Sequence, residues 1–82
     1  MMSINEAKVL LRCQTPRSPS EILKLVKGEP GYTSIIYILR NYEARGILKK
    51  NTYDKKHRYV LTAELKDDTL EEINISLAQD TE

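Results

Sequence analysis

Residues 33–62 read "TSIIYILRNYEARGILKKNTYDKKHRYVLT", and the periodicity of this stretch changes at Gly46. Before the glycine, Ile35, Ile38, Leu39 and Tyr42 recur at i, i+3, i+4 and i+7, which puts all four on one face of a helix. That helix is expected over about residues 34–45, with Thr33 as its cap and Gly46 as its terminator. Its opposite face carries Ser34, Ile36, Tyr37, Arg40 and Asn41. After Gly46 the period becomes two. "ILKKNTY" and "HRYVLT" are rich in β-branched and aromatic residues, and "DKK" between them reads as a turn, so a β-hairpin is expected over about 47–62. Leu48, Tyr59 and Leu61 should face the core, leaving Lys49, Lys50, Lys55, Lys56, His57 and Arg58 as a positive cluster on the exposed side and the tip.

Two earlier helices are announced by their starts. "SINE" at residues 3–6 is a capping box, in which the Ser3 hydroxyl accepts from the Glu6 amide while the Glu6 carboxylate reaches back. Ile4, Ala7 and Leu11, with Val9 and Leu10, then give an apolar face, which "QTPRSP" ends because two prolines within four residues cannot continue a helix. "SPSE" at residues 18–21 repeats the box, with Pro19 at the first helical position where its missing N–H costs nothing. Ile22, Leu25 and Val26 should be the buried stripe of this second helix, and Gly28 its C-cap. "GEPG" lacks the lysine and hydroxyl of a phosphate-binding loop and reads as a turn.

Two short helices joined by a tight turn form a helix-turn-helix, whose second member fits the major groove of DNA. A basic hairpin following it would lie where lysines reach the flanking phosphates. The stretch from Tyr32 to Thr62 resembles the recognition helix and wing of bacterial winged-helix regulators of the penicillinase-repressor, PadR and MarR kinds. The residues that carry the likeness are Thr33, Ile35, Leu39, Tyr42, Arg45, Gly46, Leu48, Asp54, Arg58, Tyr59, Leu61 and Thr62. The resemblance covers about residues 4–63. It implies an α+β winged helix-turn-helix of three helices plus a β-hairpin wing, followed here by a short C-terminal helix, and it implies double-stranded DNA as the partner of a small transcription regulator of the repressor type.

On that reading Thr33, Ser34, Tyr37, Arg40 and Asn41 face the bases and nearby phosphates. Arg40 and Asn41 are the types that pair bidentately with guanine and adenine, worth about 1–3 kcal/mol each in discrimination. The bland alternative for Arg40 is an i, i+3 ion pair with Glu43. Lys49, Lys50, Lys55, Lys56 and Arg58 would act on the backbone without specifying sequence; the alternative is that they only keep a hairpin edge from pairing.

The net charge of +1 conceals an asymmetry: residues 1–63 hold twelve Lys/Arg against five Asp/Glu, and residues 64–82 hold one against seven. The chain therefore divides into a basic body, 1–63, and an acidic segment, 64–82. Excess positive charge on so small a body points to a polyanion. In the tail, Thr69 to Glu72 reads as a third capping box, and Leu70, Ile73 and Leu77 fall at i, i+3 and i+7, although "INISL" also alternates as a strand would. A short helix there would pair two chains through Leu70, Ile73 and Leu77, giving a homodimer on a roughly palindromic site, or dock on a protein partner; alternatively it folds back onto the first helix or frays as an acidic terminus.

Eighty-two residues make one domain, burying about 60–65% of the surface exposed when unfolded. No apolar run approaches the length of a membrane span, no signal peptide is visible, and one cysteine cannot form an internal disulfide, so a cytoplasmic protein is expected. Cys13 reads as a small core residue, and His57 is a lone histidine without a partner in sequence, so neither a catalytic nor a metal site is expected, nor a cofactor. The rival to DNA binding is a winged helix used as a protein-interaction module, since fold alone does not dictate the ligand.

Overall fold

The structure, a computed structural model, describes residues 2–53 and 55–79. Its order is α1 (Ile4–Leu11), a 3-10 turn (Arg12–Gln14), α2 (Pro19–Leu25), α3 (Tyr32–Ala44), β1 (Leu48–Tyr53), β2 (Lys56–Leu61), a second 3-10 turn (Ala63–Leu65) and α4 (Lys66–Gln79). The class is α+β, four helices with a two-stranded antiparallel hairpin.

Both serine capping boxes form. The Glu6 N–H donates to Ser3 Oγ at 3.2 Å and the Ser3 N–H to Glu6 Oε1 at 2.8 Å. At α2 the matching distances are 3.3 Å for Glu21 N–H to Ser18 Oγ and 2.9 Å for Ser18 N–H to Glu21 Oε1. Each satisfies amides that a helix start leaves without partners. The far end of α3 is equally local in origin: Gly46, at φ 79°, turns the chain left-handed, its N–H reaches Glu43 O at 3.0 Å, and the Ile47 N–H reaches Tyr42 O at 3.0 Å. That is a Schellman closure.

Three boundaries differ from the sequence expectation. The C-cap of α2 is Val26, and the left-handed turn begins at Lys27, φ 57°, before Gly28, φ 79°. The closure bonds, Lys27 N–H to Lys24 O at 3.2 Å and Gly28 N–H to Leu23 O at 3.0 Å, fix that register one residue ahead of the glycine. Helix α3 starts at Tyr32 with Gly31 as N-cap, so Thr33 lies inside the first turn. A glycine with extended backbone can hold that position, and the Ile35 N–H bonds Gly31 O at 3.0 Å, two residues earlier than a Thr33 cap would allow. Helix α4 begins at Lys66, directly after a 3-10 turn, with Asp67 and Asp68 in its first turn where the helix dipole favours carboxylates. Thr69 is therefore an interior residue, 6% exposed, and caps nothing.

The core lies where the helices and the root of the hairpin meet. Helix α3 buries Ile35, Ile38, Leu39 and Tyr42, the stripe read from the sequence, and the hairpin buries Leu48, Tyr59 and Leu61, as expected. Helix α1 buries Ala7, Val9 and Leu10, while Ile4 and Leu11 are half-buried, because α1 is covered by α3 and also by α4. Helix α2 commits Ile22 fully; Leu25 is 36% exposed and Val26 half-buried.

Long-range bonds fix the hairpin and the tail. The link between α1 and α2 forms an antiparallel bridge with the edge of β2, with Arg17 N–H to Tyr59 O at 3.0 Å and Tyr59 N–H to Arg17 O at 2.8 Å. Thr62 closes the root, its N–H on Ile47 O at 2.9 Å and its hydroxyl on Gly46 O at 2.7 Å. Of the fates left open for the tail, the structure has it fold back: α4 packs on α1, Ile73 is wholly buried, Leu70 and Leu77 pack against the core, and Ser76 Oγ donates to Met2 O at 3.1 Å. Among the described residues no helix is long and apolar enough to cross a membrane.

Candidate functional site

Because α3 spends one face on the core, the opposite face is turned outward. Thr33, Ser34, Arg40 and Asn41 are exposed, Tyr37 is 73% exposed, and Ile36 is half-buried. Thr33, Tyr37, Arg40 and Asn41 follow one another at helical spacings and line, with Ile36, a single concavity along the helix. Ser34 lies toward the start of α1, sharing a second concavity with Ser3, Asn5 and Glu6. Four of the five expected residues of this helix thus share one surface, and the fifth lies at its border.

The hairpin register divides the basic cluster. Leu48 pairs with Leu61, Lys50 with Tyr59 and Thr52 with His57, so Lys50 and His57 share the face whose root is core. Lys49, Asn51, Lys56 and Arg58 occupy the other face. Lys49, Lys50, Lys55 and Lys56 are all exposed, yet they surround the strand ends instead of coating one side. A two-residue connection holds the tip, since Tyr53 pairs with Lys56. Lys55 takes φ 64° there, and Asp54 lies outside the described residues. Lys56 is accordingly a strand residue, not part of a three-residue turn.

Arg58 sits apart from the lysines. Its Nε is 3.8 Å from Glu21 Oε1, which ties it to the start of α2. The Glu21 carboxyl is held below its usual range mainly by the Ser18 N–H, with the Ser18 hydroxyl and the charge of Arg58 adding smaller pulls against its desolvation. The carboxylate therefore belongs first to the capping box. Among the described residues no ion pair joins Arg40 to Glu43. Arg45, by contrast, stacks over the Tyr42 ring at 4.5 Å.

A third concavity, of about 340 Å³, joins the elements: Ser18, Pro19 and Ser20 from the start of α2, Tyr32, Ile36 and Arg40 from α3, and Lys56, His57 and Tyr59 from β2. Sequence reasoning did not place Ser18, Ser20 or Tyr32 in a site. Ser18 looked fully accounted for as a cap, and Tyr32 stood outside the helix because α3 was started late. The bridge between Arg17 and Tyr59, which brings α2 beside the hairpin, has no local signal. At the back of this concavity burial pushes the Tyr59 hydroxyl up in pKa, Glu43 adding to the effect and Arg40 opposing it.

Cys13 is buried, its Sγ 3.5 Å from Val9 O, and burial pushes its thiol up to about 12 despite the opposing charge of Arg17. Such a thiol stays protonated and away from solvent, the reverse of what a nucleophile needs. His57 is exposed, and among the described residues no group of three or more His, Cys, Asp or Glu is arranged to hold a metal ion.

The expected dimer residues lie elsewhere. Ile73 has no free face for a second chain, and the exposed large apolar side chain of α4 is Ile75, 51% exposed. The acidic residues Glu64, Asp67, Asp68, Glu71 and Glu72 are exposed on the tail, and none of them lines the concavities of α3. Compared with protein-family models, with curated proteins and with solved structures, the chain finds no match in any of the three.

Proposed function

We propose that this chain is a small transcription regulator of the repressor type that binds double-stranded DNA through a winged helix-turn-helix. Helices α2 and α3 would be the helix-turn-helix, with α3 in the major groove, and β1–β2 the wing along the phosphates. The observation that carries the reading is the concavity in which Arg40 of α3 and Lys56 of the hairpin meet, with no Asp or Glu among its lining residues. A polyanion approaching α3 there meets positive charge on two elements at once.

In this arrangement Arg40, Asn41 and Thr33 are the base-reading candidates, and Lys49, Lys50, Lys55 and Lys56 the backbone contacts. Arg58 contributes less, being tied to Glu21. A two-fold pairing on a palindromic site would use surfaces other than Leu70, Ile73 and Leu77. A cytoplasmic site of action follows from the reading.

The experiment is selection of the purified chain against a random duplex library at low and at high salt, with sequencing of what is retained. Enrichment of a motif is the expected result. Retention without enrichment, lost at high salt, would reduce the activity to phosphate binding. If nothing is retained at either salt, DNA binding is rejected and the protein-interaction module takes its place.

A further inference from the structure

The outward face of α3 is too apolar for phosphate contact alone. Tyr37 is 73% exposed, Ile36 is half-buried, and with Thr33, Arg40 and Asn41 they line a concavity of about 500 Å³ lying wholly on this helix. Its polar groups sit among the carbon of Ile36 and of the Tyr37 ring. Nothing within the described residues covers Tyr37, and an aromatic left in water on a ligand-facing surface gains by being buried on binding.

If α3 lies in the major groove, the base edges offer one apolar group there, the C5-methyl of thymine. Building on the proposed DNA binding, we infer that Ile36 and Tyr37 read thymine methyl groups, so that the target of α3 is an A·T-containing segment. Asn41 stands four residues, just over one helical turn, beyond Tyr37, an advance of about 6 Å along the axis. That reach spans neighbouring base pairs, so one turn of helix can hold a thymine methyl against Tyr37 while the Asn41 amide pairs with N6 and N7 of an adenine. Arg40, between them on the same face, supplies the positive charge that a purely apolar protein contact would not favour at its centre. Lys56 beside it extends that charge toward the hairpin.

The inference has a chemical test that leaves shape and pairing almost untouched. The full chain is titrated against a labelled A·T-rich duplex, against the same duplex with uracil in place of every thymine, and against a G·C-rich duplex, all at low salt. Uracil keeps the O4 acceptor and the base pair and removes only the methyl. The thymine duplex is expected to bind at least about fourfold more tightly than the uracil duplex, the factor that corresponds to burying one methylene-sized group. In Tyr37→Ala, which alters a side chain outside the core, that ratio should collapse toward one. Equal affinity for thymine and uracil duplexes, with binding still sensitive to salt, overturns the methyl readout and leaves DNA binding standing. A preference for thymine that survives both Tyr37→Ala and Ile36→Ala overturns the assignment to this face. Failure to bind any duplex removes the DNA-binding reading and the inference with it.

Discussion

The hairpin and α4 both follow α3, both alternate in sequence and both are heavily charged, but they spend their apolar residues differently. The hairpin buries Leu48, Tyr59 and Leu61 at its root and leaves the side chains of Lys49 and Lys50 beside that root, and of Lys55 and Lys56 at the tip, in solvent. Helix α4 buries Thr69, Ile73 and Ser76 along its whole length and uses its acidic residues to solvate the other side. Charge alone therefore does not mark a working surface. A charged segment is available to a ligand where it extends past its own anchor, as the hairpin does, and it is scaffold where the anchor runs the length of the element.

The comparison can be broken most forcefully at Ile73. It is fully buried between α4 and the rest of the core, and Ile73→Ala should cost about 2–5 kcal/mol, the range for emptying a packed aliphatic site. Chemical denaturation measures it. A loss within about 0.5 kcal/mol, the range of a surface substitution, would mean that α4 is an appendage like the hairpin tip. If the loss is the expected large one, removing residues 65–82 should unfold the chain, not merely change its oligomeric state.

Alkali should act on the other side of the comparison. Cys13, Tyr42 and Tyr59 all have folded pKa values raised first by burial, and α4 contains no cysteine or tyrosine. A group with a raised pKa holds its proton more tightly when folded. Its contribution is complete below the unfolded value and is lost as pH climbs to the folded one. For Cys13 that window runs from 9.0 to about 12. Stability measured by denaturant midpoint should fall across this range, and Tyr59→Phe should make the fall shallower, because the hydroxyl at the hairpin root no longer ionises. A midpoint that is flat from pH 9.0 upward would show that the surroundings of Cys13 and Tyr59 are wetter than their burial implies.

How much of this was legible in the sequence follows from how local each cause is. Ser3 with Glu6 and Ser18 with Glu21 lie three residues apart, and both boxes form where they were read. The buried stripes of α3 and of the hairpin root follow from periods of 3.6 and two, which need no knowledge of partners. Thr69 misled because the same residue pattern caps a helix or fills its inner face, and the choice is made by the turn before it and by α1, to which the tail returns. The division of the lysines was hidden for a similar reason: composition sees a basic cluster, but register decides which face each residue takes. The outward surface of α3 was legible, whereas the concavity that crosses elements was not, since the contact of Arg17 with Tyr59 spans chain that no local pattern connects.

Charge exchange separates tip from tail more finely. Lys56→Ala should leave stability within about 0.5 kcal/mol and reduce the slope of log affinity against log salt by about 0.9, one phosphate contact. Glu71→Gln on α4 is equally exposed and should leave that slope unchanged. Equal shifts from both would mean that DNA senses only net charge, and the hairpin would lose its special standing.

The smallest effect is expected at Lys55, where the two readouts should move in opposite directions. Lys55 occupies the two-residue tip with φ 64°, a left-handed conformation that a side chain resists and glycine accepts. The two-residue turns that suit a right-twisted hairpin favour glycine at such positions. Lys55→Gly should thus stabilise the fold by up to about 1 kcal/mol, after the greater flexibility of glycine in the unfolded chain is offset. It should also remove one cation from the proposed wing, weakening duplex binding and lowering the salt slope by about 0.9. The opposition is informative because a lysine kept at a position that costs stability needs another reason to be there. If Lys55→Gly gains stability and binds duplex no less tightly, the tip is not in contact with the backbone, and the wing must be sought nearer the root, at Lys49 and Lys50.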